Sequence, residues 1–195
     1  MTPTSFTDLV KQNRSCRRFD ATHVIEMDTL KGLIELARYT ASGANMQPLK
    51  YILVNHPEKN DAVYQSLGWA AYLKDWKGPG NDEKPTAYIV ITGDSTLAKN
   101  YWCDHGIAAQ TILLGARDQG LAGCMFAAIN HKKLRSDLSI DEHLDILLVL
   151  ALGKPVETAQ IDDVGPDGSI KYWRDEQQVH HVPKRGLDEL IHATW

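Results

Sequence analysis

The stretch Asn13-Arg14-Ser15-Cys16-Arg17-Arg18-Phe19-Asp20 places three guanidiniums and a hydroxyl within five residues. It follows an amphipathic run, Phe6, Leu9 and Val10, that predicts a helix over 6–13 with Ser5 as its N-cap. The planar guanidinium fork suits a phosphate or a delocalised anion, and Ser15 adds a neutral donor. Cations this close repel one another unless an anion or acidic neighbours offset them. The chain as a whole is slightly acidic, with net charge -4, so the cluster does not reflect general basicity. Taken alone it is equally a solvated turn after a helix, and the remainder of the chain has to decide.

With 195 residues and 43% hydrophobic content, the expectation is one domain over 1–195 with a substantial core. A nucleic-acid binder would carry a basic domain with clustered Lys and Arg, which the acidic balance excludes. The longest apolar run, Ile146 to Leu152, is far shorter than the roughly 20 residues needed to span a bilayer. Met1 to Ser5 lack the basic and apolar regions of a secretory leader. The expectation is therefore a cytoplasmic protein with neither membrane nor nucleic acid as partner. Cys16, Cys103 and Cys124 form no CxxC pair and no even disulfide set, so reduced thiols are expected. The guanidiniums beside Cys16 would lower its pKa.

A second helix is predicted over 27–41 from the spacing of Leu30, Leu33, Ile34 and Ala37. It ends in the polar loop Ser42-Gly43-Ala44-Asn45-Met46-Gln47-Pro48. Strands are predicted over 51–54, 87–92, 122–128 and 146–152, and helices over 58–67, 131–139 and 187–193. Residues 96–119 read as one long central helix, small or apolar nearly all round, closed by Gly120 at C′. The segment 69–76 is aromatic (Trp69, Tyr72, Trp76) and runs into a Gly/Pro loop; it either caps a pocket or packs into the core. After Pro155 the chain turns polar through 157–186, and such a tail needs its own domain or a partner subunit to lie against.

No hydrolase elbow, P-loop or dinucleotide-binding glycine pattern is present, and the eight histidines show no helical metal-pair or finger spacing. No metal site is expected. Three polar stretches remain: 13–18, Ser42 to Gln47, and Pro183-Lys184-Arg185. Their guanidiniums, ammonium, hydroxyls and carboxamides suit a ligand with a phosphate at one end and a ring bearing donors and acceptors at the other.

At these residues the sequence resembles the FMN-dependent nitroreductase family, in its compact nitroreductase-like branch. The similarity rests on the basic stretch through Arg17 and on the Ser42 to Pro48 loop. It also rests on Gly106 to Ala116 followed by Gly120 to Met125, and on Lys171 to Glu176 with Val182 to Arg185. The resemblance implies an α+β fold, a mainly antiparallel central sheet flanked by helices, in an intertwined homodimer whose flavin sites are shared. It implies that residues 155–195 pack on the partner subunit. By the same resemblance, Arg14, Ser15, Lys184 and Arg185 would hold the phosphate of FMN, and Arg17 the pyrimidine edge. Ser42, Gly43, Asn45 and Gln47 would come from the other subunit. Phe126, Ala127 and Ala128 would lie along the ring and offer a backbone N–H to flavin N5. Two positions depart from the family pattern: Asn13 stands where an arginine is usual, and Ala128 where a glycine is.

The implied activity is ping-pong hydride transfer from NADH or NADPH, through flavin N5, to a small-molecule electron acceptor such as a nitroaromatic or a quinone. Arg17 would stabilise the negative charge developing on the reduced ring; no protein acid, base or nucleophile is needed. Two alternatives stay open. One is the same fold with specialised chemistry, such as dehalogenation or flavin breakdown; the other is a flavin-binding protein without turnover.

Overall fold

The computed structural model describes residues 5–73 and 75–195. Met1 to Thr4, most of the stretch read for a leader, and Lys74 of the aromatic segment lie outside them. Helix α1 (Phe6–Gln12) starts where Ser5 Oγ accepts the Asp8 N–H at 3.1 Å, satisfying one of the orphan donors of a first turn. The chain continues through β1 (Phe19–Asp20), α2 (Met27–Arg38), β2 (Leu49–Val54), α3 (Pro57–Tyr64) and β3 (Ala87–Asp94). It then forms α4 (Asp104–Asp118), β4 (Ala122–Phe126), α5 (His131–Leu138) and β5 (Leu144–Pro155).

The main sheet runs β1-β5-β3-β2, with β4 also on β5, and every pairing in it is antiparallel. Strand β3 lies at its centre and is buried along its whole length. The two-residue alternation of a strand sends successive side chains to opposite faces. Ile89 and Ile91 accordingly pack with Leu30 and Leu33 of α2 and Ala108 and Ile112 of α4. Tyr88 and Val90 pack with Val63 of α3 and Leu134 of α5 on the other side. This is the α+β arrangement expected, with helices on both faces.

Helix α4 begins at Asp104, eight residues later than the sequence periodicity predicts. Side chains before it compete for the backbone. Asp94 Oδ1 accepts the Thr96 N–H at 2.9 Å, and Asn100 Oδ1 accepts the Trp102 N–H at 2.8 Å. Such local bonds favour turns over helix, and Trp102 sits at φ +38°. The helix ends as expected: Gly120 at φ +73° lets Gly120 N–H reach Arg117 O (3.0 Å) and Leu121 N–H reach Ala116 O (2.9 Å), a Schellman closure. Helix α2 ends at Arg38 rather than 41, and α3 at Tyr64 rather than 67. Ile107 and Gln110 of α4 are exposed, so in one chain this helix is not covered all round.

The tail forms a second, small sheet, β6 (Ala159–Asp163), β8 (His180–Lys184) and β7 (Trp173–Arg174), in that order, before α6 (Leu187–Leu190). It lies against its own chain: Tyr72 and Tyr172 pack with ring centroids 5.0 Å apart, and the Arg17 guanidinium sits 5.1 Å from the Tyr172 ring centre.

Candidate functional site

The basic stretch lies between α1 and β1 and meets the far end of the chain. Asn13, Arg14, Ser15 and Arg17 line a cavity of about 330 Å³ together with Tyr172, His180, Val182 and Lys184 of the tail, and Gln110 and Met125. Pockets of roughly 300–1,000 Å³ are the usual size for small ligands and cofactors. Arg17 and Tyr172 also line a second cavity of about 140 Å³ with Gly68, Phe126, Ala127 and Ala128. Sites expected to serve one end of a ligand and its ring thus lie side by side, joined at Arg17 and Tyr172.

The three guanidiniums of the stretch have different fates. Arg14 donates from Nε to Asn13 O (2.7 Å) and from Nη2 to Val10 O (2.9 Å); it caps the C-terminal carbonyls of α1, where a cation is favoured. Arg18 makes a bidentate pair with Glu83 at 2.6–2.7 Å. Arg17 points inward: its backbone N–H donates to Glu157 Oε2 at 2.7 Å, and its Nη1 lies 3.5 Å from His180 Nε2. Among the described residues no carboxylate pairs with the Arg17 guanidinium. Its Nε is buried and has no hydrogen-bond partner among the described residues, and the same holds for His180 Nδ1. An uncompensated guanidinium N–H beside a cavity also bearing Arg14, Ser15 and Lys184 fits an acceptor-rich anionic ligand.

Below this cluster lies a buried ion pair. Arg174 donates from Nε (3.1 Å) and Nη2 (2.6 Å) to Glu157 Oε1, with side-chain exposures of 9% and 1%. The Arg174 guanidinium also stacks 4.4 Å from the Trp76 ring centre. Cys16, expected to be acidified by its neighbours, is instead pushed up to about 12. Burial is the main cause and the Glu157 carboxylate adds to it, because the arginines beside Cys16 in sequence point elsewhere. Cys124 is likewise raised, by burial. Cys103 is exposed.

The Ser42 to Gln47 loop is elsewhere. Ser42 Oγ donates to Asp104 Oδ2 (2.6 Å), Gly43 N–H donates to Asp104 Oδ1 (3.0 Å), and Gln47 N–H donates to Ser42 Oγ (2.9 Å). Ala44, Asn45 and Gln47 all hold positive φ, a tight conformation fixed from outside by one buried carboxylate. A Cβ at Gly43 would overlap the Trp102 ring. Ser42 and Gln47 line a groove of about 430 Å³ with Ile34, Leu49, Tyr51 and Leu53, not the Arg14 cavity. Within one chain, then, Ser42, Gly43, Asn45 and Gln47 do not join the basic residues. Neither does Arg185: it follows the end of β8, its side chain is exposed, and it pairs with Glu189 at 2.7 Å.

The residue-type departures have local explanations. Asn13 is buried and ends α1, its N–H donating to Leu9 O at 2.9 Å. Ala128 O accepts the Gly68 N–H at 2.8 Å, and the Ala128 methyl lies against Gly68, where the absence of a side chain gives it room. Trp69 packs on Phe126 (4.6 Å) and Tyr64 (5.2 Å), so this part of the aromatic segment is core, while Tyr72 reaches the tail. Tyr172 falls within the Lys171 to Glu176 motif but was given no site role from sequence, and no motif marks His180; only the folding-back of the tail brings the two to the cavity.

A family model described as "Nitroreductase family" matches residues 10–154. The chain is similar to 4-nitrobenzoate reductase of Pseudomonas putida, 32% identical over 79 residues, covering 39% of this chain and 34% of that protein. The chain therefore matches about a third of the length of this relative. It is also similar to an NADPH-flavin oxidoreductase of Vibrio harveyi, 20% identical over 205 residues, covering 96% of this chain and 81% of that one. Among solved structures, an FMN-dependent nitroreductase of Clostridium difficile R20291 superposes with TM-score 0.63 at 20% identity, covering 76% of this chain and 87% of the other.

Proposed function

The chain belongs to the nitroreductase family, and on that premise we propose that it is an FMN-dependent oxidoreductase using NADH or NADPH to reduce a small-molecule acceptor, such as a nitroaromatic or a quinone. The observation that carries this reading is the single cavity in which Arg14 and Ser15, from one end of the chain, meet Lys184 from the other. Arg14, Ser15 and Lys184 hold the phosphate by charge-assisted hydrogen bonds. Arg17, whose guanidinium no carboxylate neutralises among the described residues, faces the pyrimidine edge and favours negative charge there. Phe126, Ala127 and Ala128 border the ring and supply a backbone N–H. A bound flavin supplies the hydride-accepting and hydride-donating atom itself.

The second half of the site comes from another copy in a homodimer. Support lies on α4. Trp102 and Ile107, both exposed hydrophobics, line an open groove of about 650 Å³ with Gln110. Gln110 also lines the Arg14 cavity, and Trp102 packs on Gly43. A copy seated on this groove carries its Ser42 to Gln47 loop toward the basic residues of the first. Ser42, Gly43, Asn45 and Gln47 then contribute amides and hydroxyls that a single chain keeps apart from Arg14. The aromatic rim of Tyr72 and Tyr172 next to the smaller cavity favours a planar acceptor, and it leaves specialised chemistry on the same fold as the second reading.

The experiment is the visible spectrum of the purified protein, followed by steady-state oxidation of NADH or NADPH with a quinone. Flavin absorbance with turnover is expected. Flavin without turnover would identify a binding protein, and a colourless protein that takes up no FMN would end this reading.

A further inference from the structure

His180 is the one fully buried histidine of the tail, 1% exposed, and it lines the Arg14–Lys184 cavity. Its ring packs 5.1 Å from Tyr172, and its Nε2 faces Arg17 Nη1 at 3.5 Å. A guanidinium has only donors, so Nε2 serves as acceptor and the ring hydrogen resides on Nδ1. We propose that His180 is a positioning residue: a neutral imidazole that, with Tyr172, orients the Arg17 guanidinium toward the ligand without cancelling its charge. The proposal rests on the flavin reading above and makes the C-terminal tail the element that sets the reduction potential of the bound flavin.

The neighbouring arginines show why a neutral brace matters. Arg18 is held by Glu83 and Arg174 by Glu157, and each carboxylate that fixes its arginine also neutralises it. Arg17 is fixed differently. Its backbone is tied to Glu157, while among the described residues its guanidinium is met by an imidazole and an aromatic face and by no carboxylate. The charged groups around His180 are consistent with a neutral ring. Burial disfavours the imidazolium first of all, Arg17, Arg174 and His181 disfavour it further, and Glu157 alone opposes them. A neutral acceptor orients a cation by hydrogen bonding and leaves its field intact for a ligand whose negative charge grows on reduction.

The test compares the midpoint potential of bound flavin in the wild-type protein, His180→Gln and His180→Leu. Glutamine retains an acceptor near Nε2; leucine fills the space without one. Leucine is expected to lower the preference for reduced over oxidised flavin about tenfold, roughly 30 mV more negative for a two-electron couple, and glutamine less than twofold. A purely structural role would lower the melting temperature of both variants and leave the potential in place. An unchanged potential in His180→Leu, or equal shifts in both variants, overturns the proposal. Nitrogen-15 NMR of the wild-type protein decides the tautomer even if a variant does not fold: a hydrogen on Nδ1 is expected, and one on Nε2 refutes the brace. Wild-type protein that takes up no flavin would instead refute the functional reading, while the tautomer still reports on the His180–Arg17 contact.

Discussion

The basic cavity and the amide loop differ in how complete each is within one chain. Arg14, Ser15 and Lys184 are brought together by the chain's own folding, because β8 of the tail lies beside the stretch that precedes β1. Ser42 and Gly43 are instead held by Asp104, Gly43 against the Trp102 ring, and Ser42 lines a different groove. The first region answers to variants of its own side chains. The second is fixed by one carboxylate, and on the reading proposed above its effect on a ligand depends on the copy that docks against it.

The largest effect should come from breaking the first region. Arg14→Ala combined with Lys184→Ala removes two charged hydrogen-bond donors, each worth about 1.5–3 kcal/mol. FMN affinity, followed by flavin fluorescence, should fall by about 100-fold or more. An affinity within threefold of wild type would separate this cavity from the cofactor. Arg17→Ala sharpens the point within that region. Flavin reduction by NAD(P)H in stopped flow should slow by about 10²–10³-fold, the range seen when one charge-stabilising donor is lost, while flavin retention changes much less. Equal losses in both would make Arg17 a binding residue only.

Asp104→Asn breaks the second region. The loss of charge-assisted bonds to Ser42 and Gly43 should cost about 1.5–3 kcal/mol, read as a lower melting temperature. If the loop acts across two copies, flavin affinity of this variant will also become dependent on protein concentration; a concentration-independent affinity would detach the loop from the partner's site.

The smallest effect concerns the tail that carries Lys184. His181 sits between Asp162 (2.7 Å to Nδ1) and Asp175 (3.2 Å to Nε2), stacked on Trp173 at 4.7 Å. Its pKa is raised above the ordinary 6.5, by hydrogen bonding to Asp175 and Asp162. The imidazolium stabilises the tail fully below pH 6.5, and that contribution disappears as pH rises through the elevated value. The two carboxylates are lowered below 3.8 by hydrogen bonds, for Asp162 first from Gln160 and for Asp175 first from His181, so their contribution fades only in stronger acid. Amide protection in β8, corrected for intrinsic exchange, should be higher at pH 6 than at pH 9. Asp162→Asn with Asp175→Asn should flatten the difference, and an unchanged difference would assign it to another group.

Much of this was legible in the sequence, for identifiable reasons. Ser5, Gly120 and the buried runs of β3 and β5 act through local geometry, which sequence spacing captures. The grouping of the 13–18 stretch with Lys184 was legible as shared ligand chemistry and then as family resemblance, though not from spacing, since nothing local to either segment requires the other. What escaped depends on which side chain takes which partner, near or far in sequence, and hydrophobic spacing does not encode that. Asp94 and Asn100 shorten α4, Glu83 takes Arg18, burial and Glu157 raise Cys16, and Glu189 takes Arg185. His180 became meaningful only once β8 set it against Arg17.

Sedimentation of the purified protein, monitored at flavin wavelengths and at 280 nm together, addresses the division of the site between two copies. One FMN per chain, sedimenting with a particle of two chains and lost when dilution separates them, is the predicted result. Flavin held firmly by a solitary chain would contradict it.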